Sequence, residues 1–389
     1  MVRKIDEDSL LERKEEIAGF ICGLNELDDP RSKQGRSFSL AEIFFLLLCA
    51  QICGFESLRE YEAYGEMKVE LLRQFLPYKH GSPSKSTICR VLSLFEPGSL
   101  ELLLMDWTAL IIGKSKDRHI AVDGKTHCGF KKEGGETLHL VHAYGVESGL
   151  VLGQEKVGDK TNEITAIPKL LNAMHIEKQV VTIDAMGCQK EIAKVIKNRK
   201  ADYVLGLKGN QGQLHEDVKL YFEDKKLLDR CAHIEQLDKG HGRFEVRKCY
   251  VTDQIAWLDG KCSWSGLRSI ACIESIRVRD NEETRDTRYF ISSLPPLPET
   301  ILRAVRAHWG VESMHWCLDV IFREDDRIIW NRNFARNEAI IRRCALNLIK
   351  RFQETCSYRI GNAKVALKTI RKLLVGNDKD MTALLYEAN

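Results

Sequence analysis

Apolar residues recur at three- and four-residue spacing over 8–28 and 39–76, which predicts helices there. The polar, basic stretch DDPRSKQGRSFS at 28–39 joins them. A Ser/Pro-rich lead, KHGSPSKS, then enters a short amphipathic segment ending near residue 95, with Lys85 and Arg90 close to its start. That form suits the second half of a helix-turn-helix, and it equally suits a plain packing helix. At His119 the period changes to that of strands. HIAVDG is one strand, and LHLVHAYGVESGLVLGQEKV (138–157) reads as two strands about an ESG turn. TNEITAIPKLLNAMHI (161–176) is an amphipathic helix with Asn162 as its expected N-cap. QVVTIDAMG (179–187) is a buried strand, CQKEIAKVIKNRK a helix, and ADYVLGLKGNQ (201–211) a fifth strand. The order β-β-β-α-β-α-β predicts an α/β fold, a mixed sheet with helices packed on it. Residues 224–295 turn strand-rich and antiparallel in pattern, an insertion or small β-subdomain. After PPLPET a long helix is expected from Ile301 to about Ile321, and a mostly helical tail closes the chain.

Composition narrows the class. At 389 residues, 44% hydrophobic and 30% charged, the chain has the make-up of an ordinary globular protein of more than one domain. The longest apolar run, AEIFFLLLCAQICGF, is too short to span a bilayer and carries Glu42 and Gln51. The N-terminus lacks the apolar core of a signal peptide, so a cytoplasmic protein with no membrane partner is expected. Thirteen cysteines form no C-x-x-C pair, and Cys22, Cys49, Cys53 and Cys344 sit in apolar runs, which predicts reduced, buried thiols. A net charge of +3 is too small to argue for nucleic acid, but its distribution is more telling. From Arg327 to Lys372, 12 Arg and Lys face only 2 acidic residues, Glu338 and Glu354, an imbalance suited to a phosphate backbone. Trp330 and Phe334 in the same stretch offer stacking or wedge surfaces.

The candidate chemistry lies in carboxylates. Asp123, in VDGK, stands at the end of an apolar strand, where Asp-Gly alone is a turn signal. Asp184, in TIDAMG, stands at the end of another. Strand ends of that kind line the ligand crevice of an open α/β sheet. On neighbouring strands, roughly 4.8 Å apart, the two could bridge divalent cations. Hard oxygen ligands favour Mg²⁺ or Mn²⁺ over zinc. On the expected helix at 301–321, His308, Glu312, His315 and Asp319 share one face. A polar stripe is normally the solvated side of a helix. Here Trp309, Trp316 and the apolar surroundings point to a buried helix whose stripe faces a site.

VDGK, TIDAMGCQ and HWGVESMHWCLDVIFREDD together resemble the three acidic motifs of DDE transposases with an RNase H-like core. The resemblance is to the bacterial insertion-sequence branch that includes the H-repeat-associated proteins. It extends over nearly the whole chain, through TNEITAIPKLL, YVLGLKGNQ and HGRFEVR. It implies a helical N-terminal DNA-binding region over 1–110, an RNase H-like core beginning at 111–223, a β-rich insertion at 224–295, and a core helix with a basic helical tail over 296–389. Asp123, Asp184 and Glu312 would be the catalytic, metal-binding triad, with Mg²⁺ as cofactor and Mn²⁺ as substitute. The implied activity is metal-dependent cleavage and strand transfer at the ends of an insertion sequence. The implied partners are double-stranded DNA, as element ends and target, and a second copy of the chain on that DNA. Gly124 would let backbone approach phosphate, and Lys125 could reach it. Lys208, Asn210 and Gln211 at the end of the fifth strand, Arg243 and Arg247 on one strand face, and Arg327 are further candidate DNA contacts. His308 is another, standing where the broader group carries Arg one turn before the last acid. Val305 and Asp319 stand where that group has Tyr and Lys, so the phosphate-handling roles fall elsewhere. The alternative is a DNA-binding protein of this fold that no longer catalyses. The intact triad favours the enzyme.

Overall fold

The computed structural model describes the chain apart from residues 1–6, 35, 113–116, 131–136, 159–161, 241–242, 280–281, 356–358, 361–362 and 386–389. Serine caps organise its helical first part. After α1 (Glu7–Glu26), Ser39 Oγ accepts from the Glu42 amide at 3.1 Å while Glu42 Oε2 accepts from the Ser39 amide at 2.7 Å. This reciprocal box starts α2 (Leu40–Ile52), which is apolar all round and buried along its whole length. The single helix expected over 39–76 is in fact two. Gly54, at φ +86°, turns the chain, and a second box between Ser57 and Glu60 starts α3 (Leu58–Leu72). Ser84 caps α4 (Lys85–Leu94), and α5 (Pro97–Ile112) follows.

β1 (His119–His127), β2 (Leu138–Gly145) and β3 (Val151–Lys156) form an antiparallel meander. After α6 (Glu163–Ala173), β4 (Val180–Ile183) pairs parallel to β1; after α7 (Lys190–Asn198), β5 (Asp202–Leu207) pairs parallel to β4. The order β3-β2-β1-β4-β5 is the expected RNase H-like core. Two strand ends differ from expectation. β1 does not turn at Asp-Gly but runs on to His127, because Asp123 to His127 keep pairing with β2 after β4 has ended. β5 stops at Leu207, and Gly209–Gln211 is a tight 3₁₀ turn.

α8 (Gln213–Glu223) and α9 (Lys225–Leu228) lead into β6 (Ala232–Gly240), β7 (Arg243–Thr252), β8 (Ser269–Arg279) and β9 (Glu282–Ser292). These strands build no sheet of their own. β9 pairs antiparallel with β5, so the nine strands make one sheet in the order β3-β2-β1-β4-β5-β9-β8-β7-β6. The long helix expected at 301–321 is also divided, into α10 (Pro298–His308), α11 (Gly310–Trp316) and a π-helical turn over Cys317–Ile321. At the break Gly310 packs on Tyr144, where a Cβ would lie 3.0 Å from a ring carbon.

α12 (Arg332–Thr355) corrects the reading of a basic tail. It packs against α2, α4 and α5. Its arginines serve the interior. Arg342 and Arg343 are among the largest fully buried side chains. Arg343 grips Glu324 through both terminal nitrogens, one bond being 3.0 Å. Arg342 lies 3.3 Å from both Glu324 and Glu338. Arg327 also bonds Glu338, which accepts from Tyr61 Oη at 2.6 Å. Asn347 pairs its amide with the backbone of Val151 in both directions, at 2.8 and 2.9 Å, sealing the β3 edge of the sheet. A short hairpin of β10 (Arg359–Ile360) and β11 (Ala363–Lys364) leads to α13 (Leu367–Gly376) and α14 (Asp378–Leu385). On α13, Arg371 donates to the Gln51 carbonyl and to Glu56, both at 2.7 Å, and stacks over Phe322.

The described cysteines are free thiols and most are buried, although Cys22 is exposed, contrary to expectation. No helix among the described residues is long and apolar enough to cross a membrane. The buried cluster gives a direct test. Glu324→Gln leaves Arg342 and Arg343 without their shared charge and is expected to lower unfolding free energy by about 3–5 kcal/mol. Arg285→Ala, which breaks only an exposed pair with Glu283, should stay within about 0.5 kcal/mol. Urea denaturation of both variants measures the contrast.

Candidate active site

The parallel register that sets Val122 beside Ile183 makes Asp123 and Asp184 the next residues on neighbouring strands. Asp184 is held in place by its own loop, with Oδ1 accepting from the amides of Met186 at 3.1 Å and Gly187 at 3.3 Å. Burial, then the charge of Asp184, pushes the Asp123 carboxyl up to about 7, and Glu163 and Glu312 add to the rise. Glu312, on α11, lines the same cleft of about 430 Å³, together with Lys208, His215, Arg288 and Trp309. Burial raises the Glu312 carboxyl, with Arg288 acting against it. Arg288 lies over the Trp309 ring at 5.2 Å and bonds Asp286 at 2.7 Å.

The polar stripe of α10 and α11 faces the sheet and crosses three strands. His308 Nδ1 meets Thr182 Oγ1 of β4 at 2.9 Å, and Thr182 meets His119 Nε2 at 2.7 Å. His315 Nε2 lies 3.1 Å from His142 Nδ1 of β2, with its Nδ1 3.7 Å from Asp123 Oδ2 of β1. Asp319 lies 2.7 Å from Lys125 Nζ. Burial holds His308 and His119 down at about 4 and His315 at about 3, so all three rings are neutral near neutral pH.

Most of the other candidate residues are engaged by partners within the protein. Lys125 is buried among Asp319, Glu324 (3.5 Å) and Asp325 (3.3 Å), which occupy its ammonium. Gly124 makes room for side chains rather than for phosphate. A Cβ there would lie 2.1 Å from Glu163 Oε1 and 2.6 Å from His139 Nε2, which bond each other at 2.7 Å. Asn210 and Gln211 donate to the carbonyls of Ala185 and Cys188, at 2.7 and 2.6 Å, tying the turn after β5 to the loop that carries Asp184. Arg247 is held by Asp238 at 2.5 Å and Glu245 at 2.6 Å. Arg327 is bound to Glu338 and His308 to Thr182. Lys208 stays exposed on the cleft wall. Arg243 opens β7, but its side chain lies outside the described residues. His142, Glu163, Arg288 and Glu324 were not singled out from sequence. Glu324 and Glu163 carried a signal, the first in the REDD run that ends the third acidic motif and the second in TNEITAIPKLL.

Among the described residues no three His, Cys, Asp or Glu side chains converge tightly enough to enclose an ion unaided. What the cleft offers is a like-charged carboxylate pair with a third carboxylate across it, all oxygen donors, and this suits a hard divalent cation. Burial first and the charge of Asp184 second raise the Asp123 carboxyl, and a bound cation would offset that penalty.

Residues 98–348 match the family model described as Transposase DDE domain, and residues 22–108 one described as DDE_Tnp_1-associated. The chain is 36% identical to "Putative transposase YncI" of Escherichia coli O157:H7, over 86% of this chain and 88% of that one. It is also 36% identical to "H repeat-associated putative transposase YhhI" of Escherichia coli K12, over 86% and 91%. Among solved structures, the piggyBac transposase synaptic complex with hairpin DNA aligns over 97% of this chain and 80% of that one at 12% identity and a TM-score of 0.47, too slight a likeness to build on. The family match spans well over half of the chain and the relatives match along most of it, and on that ground the chain belongs to the DDE transposases, on the bacterial insertion-sequence branch of the H-repeat-associated proteins, and is a DNA transposase.

Proposed function

We propose that this transposase cuts and joins DNA at the ends of its element in a Mg²⁺-dependent reaction that Mn²⁺ also supports, with Asp123, Asp184 and Glu312 holding the metal. The observation that carries the reading is the placement of Asp123 and Asp184 side by side on parallel strands, in one cleft with Glu312. Bound divalent cations supply Lewis-acid stabilisation of the in-line phosphodiester displacement. The chain's own groups supply position. The amides of Met186 and Gly187 fix Asp184, and the Asn210 and Gln211 amides brace that loop from the next strand. Neutral His308 fills the space beside Asp184 without adding a charge that would repel a cation. Lys208 and Arg288 stand on the cleft wall as the cations nearest an entering phosphate, and Trp309 offers an exposed ring there.

DNA is held further out by the helical region over 1–110. α4 buries Ile88, Val91 and Leu92 and leaves Lys85, Ser86 and Arg90 exposed, beside exposed Lys79 and His80. This basic outer face on a capped helix supports docking against a duplex. Each element end needs one cleft, so two copies work together on DNA. The free thiols suit the reducing cytoplasm.

Two experiments test the reading. On supercoiled plasmid carrying the element's ends, Asp123→Ala, Asp184→Ala and Glu312→Ala should each reduce Mg²⁺- or Mn²⁺-dependent cutting by more than about a hundredfold, beyond the usual loss for a residue that merely supports a ligand. Gel-shift binding should be retained. Cutting that survives any one substitution removes that residue from the triad. Lys85→Ala and Arg90→Ala should each weaken binding across all sequences and lower the slope of log affinity against log salt by about 1. An unchanged slope places the duplex elsewhere.

A further inference from the structure

An arginine side chain can only donate hydrogen bonds, and that single fact propagates a direction through the buried groups behind Asp123. Arg343 is fixed by its two bonds to Glu324 and a third to the Ala339 carbonyl at 2.9 Å. Its remaining Nε–H points at His142 Nε2, 3.2 Å away. His142 is fully buried, so its Nε2 must be the bare, accepting nitrogen and its proton must sit on Nδ1. That Nδ1–H faces His315 Nε2 at 3.1 Å. His315 Nε2 is then an acceptor in turn, which leaves the His315 proton on Nδ1. This nitrogen lies 3.7 Å from Asp123 Oδ2. Reversing either ring, or charging His142, would set N–H against N–H inside the protein, which costs about 1–3 kcal/mol for each unsatisfied donor.

We propose that His315 is a positioning residue whose Nδ1–H orients the Asp123 carboxylate, and that Arg343, acting through His142, fixes the direction of that N–H. The role rests on the reading of Asp123 as a metal-holding residue. At 3.7 Å the N–H dipole acts on Oδ2 without a full hydrogen bond. The chain places a donor behind the site and no positive ring beside it. It also joins the site to the Glu324 cluster, since the arginine that sets the direction is the one Glu324 pins.

Nitrogen NMR of the metal-free, full-length protein labelled with ¹⁵N-histidine tests the direction without any variant of the buried rings. His142 and His315 should both carry their proton on Nδ1 alone. A proton on Nε2 of either ring overturns the chain. Manganese affinity, read from the free Mn²⁺ signal in electron paramagnetic resonance, tests the consequence. His315→Ala should weaken it by about tenfold or more, the loss usual when a partner of a metal ligand is removed. His315→Asn, whose amide nitrogen takes nearly the place of Nδ1, should recover most of that loss. Unchanged affinity in His315→Ala, or a loss that Asn leaves uncorrected, overturns the positioning role. Asp123→Ala separates the two readings. If it leaves Mn²⁺ affinity intact, Asp123 is not a metal-holding residue and the role of His315 falls with it, whatever the ring protons show.

Discussion

One buried carboxylate, Glu324, governs how this molecule is put together. Burial alone would push its carboxyl up, yet Arg343, His127, Arg342 and Lys125 outweigh that penalty and hold it well below the usual carboxylate range. Those partners come from β1 and α12, and Glu324 itself follows the π-helical turn that ends α11. Strand, catalytic-core helix and C-terminal helix therefore meet at one anion. A charge buried in this way is tolerated only when every partner is in place, so the three elements pack in one relative arrangement. That arrangement sets the pitch of α11, and with it where His308, Glu312, His315 and Asp319 fall along the crest of the sheet.

The second constraint works against stability. Parallel register forces Asp123 and Asp184 together, and the protein meets the repulsion in several ways at once. Asp184 takes two backbone amides and the Asp123 carboxyl is pushed up to about 7, while the nearby imidazoles, held neutral by burial, give the pair no counter-charge. Among the described residues no lysine or arginine pairs with either carboxylate directly. Lys125, the nearest in sequence, is drawn to Asp319, Glu324 and Asp325 instead. A site built for an uncompensated dication would be expected to look like this, since an internal cation would occupy the space and cancel the charge.

Much of this could be read from the chain. The change of period at His119, the β-β-β-α-β-α-β order and the acids at the ends of apolar strands are local patterns that point to Asp123 and Asp184, while joining Glu312 to them rested on the resemblance of the three acidic motifs. What could not be read was non-local. Asp-Gly is a turn by local preference, and only pairing with β2 carries β1 through it. Where the helix over 301–321 is divided, Gly310 packs on Tyr144, far away in sequence, and a Cβ there would crowd the ring. The basic tail misled for a physical reason. A count of charges cannot say which are buried, and the two glutamates Glu324 and Glu338 between them engage Arg327, Arg342 and Arg343.

The use of those arginines inside the protein limits how the proposed complex with DNA can form. Arg336 is also held, by Glu101 at 2.8 Å, and Arg371 by Glu56. These groups cannot release counterions from a phosphate backbone without unfolding the core, so they contribute nothing to the salt dependence of binding. In the reading proposed above, the attraction comes instead from α4 and its flank, with Lys208 and Arg288 at the cleft. These two patches sit in different parts of the chain, one on the helical region and one on the sheet. A duplex held at both would be positioned by the first and presented to the carboxylates by the second. The buried Glu324 cluster is what keeps the two patches in a fixed relation, because α12 packs on α4 with one part of its surface and reaches the sheet through Arg343 with another. In this protein the basic residues of the C-terminal helix would then serve DNA indirectly, by holding rigid the frame on which other residues meet it.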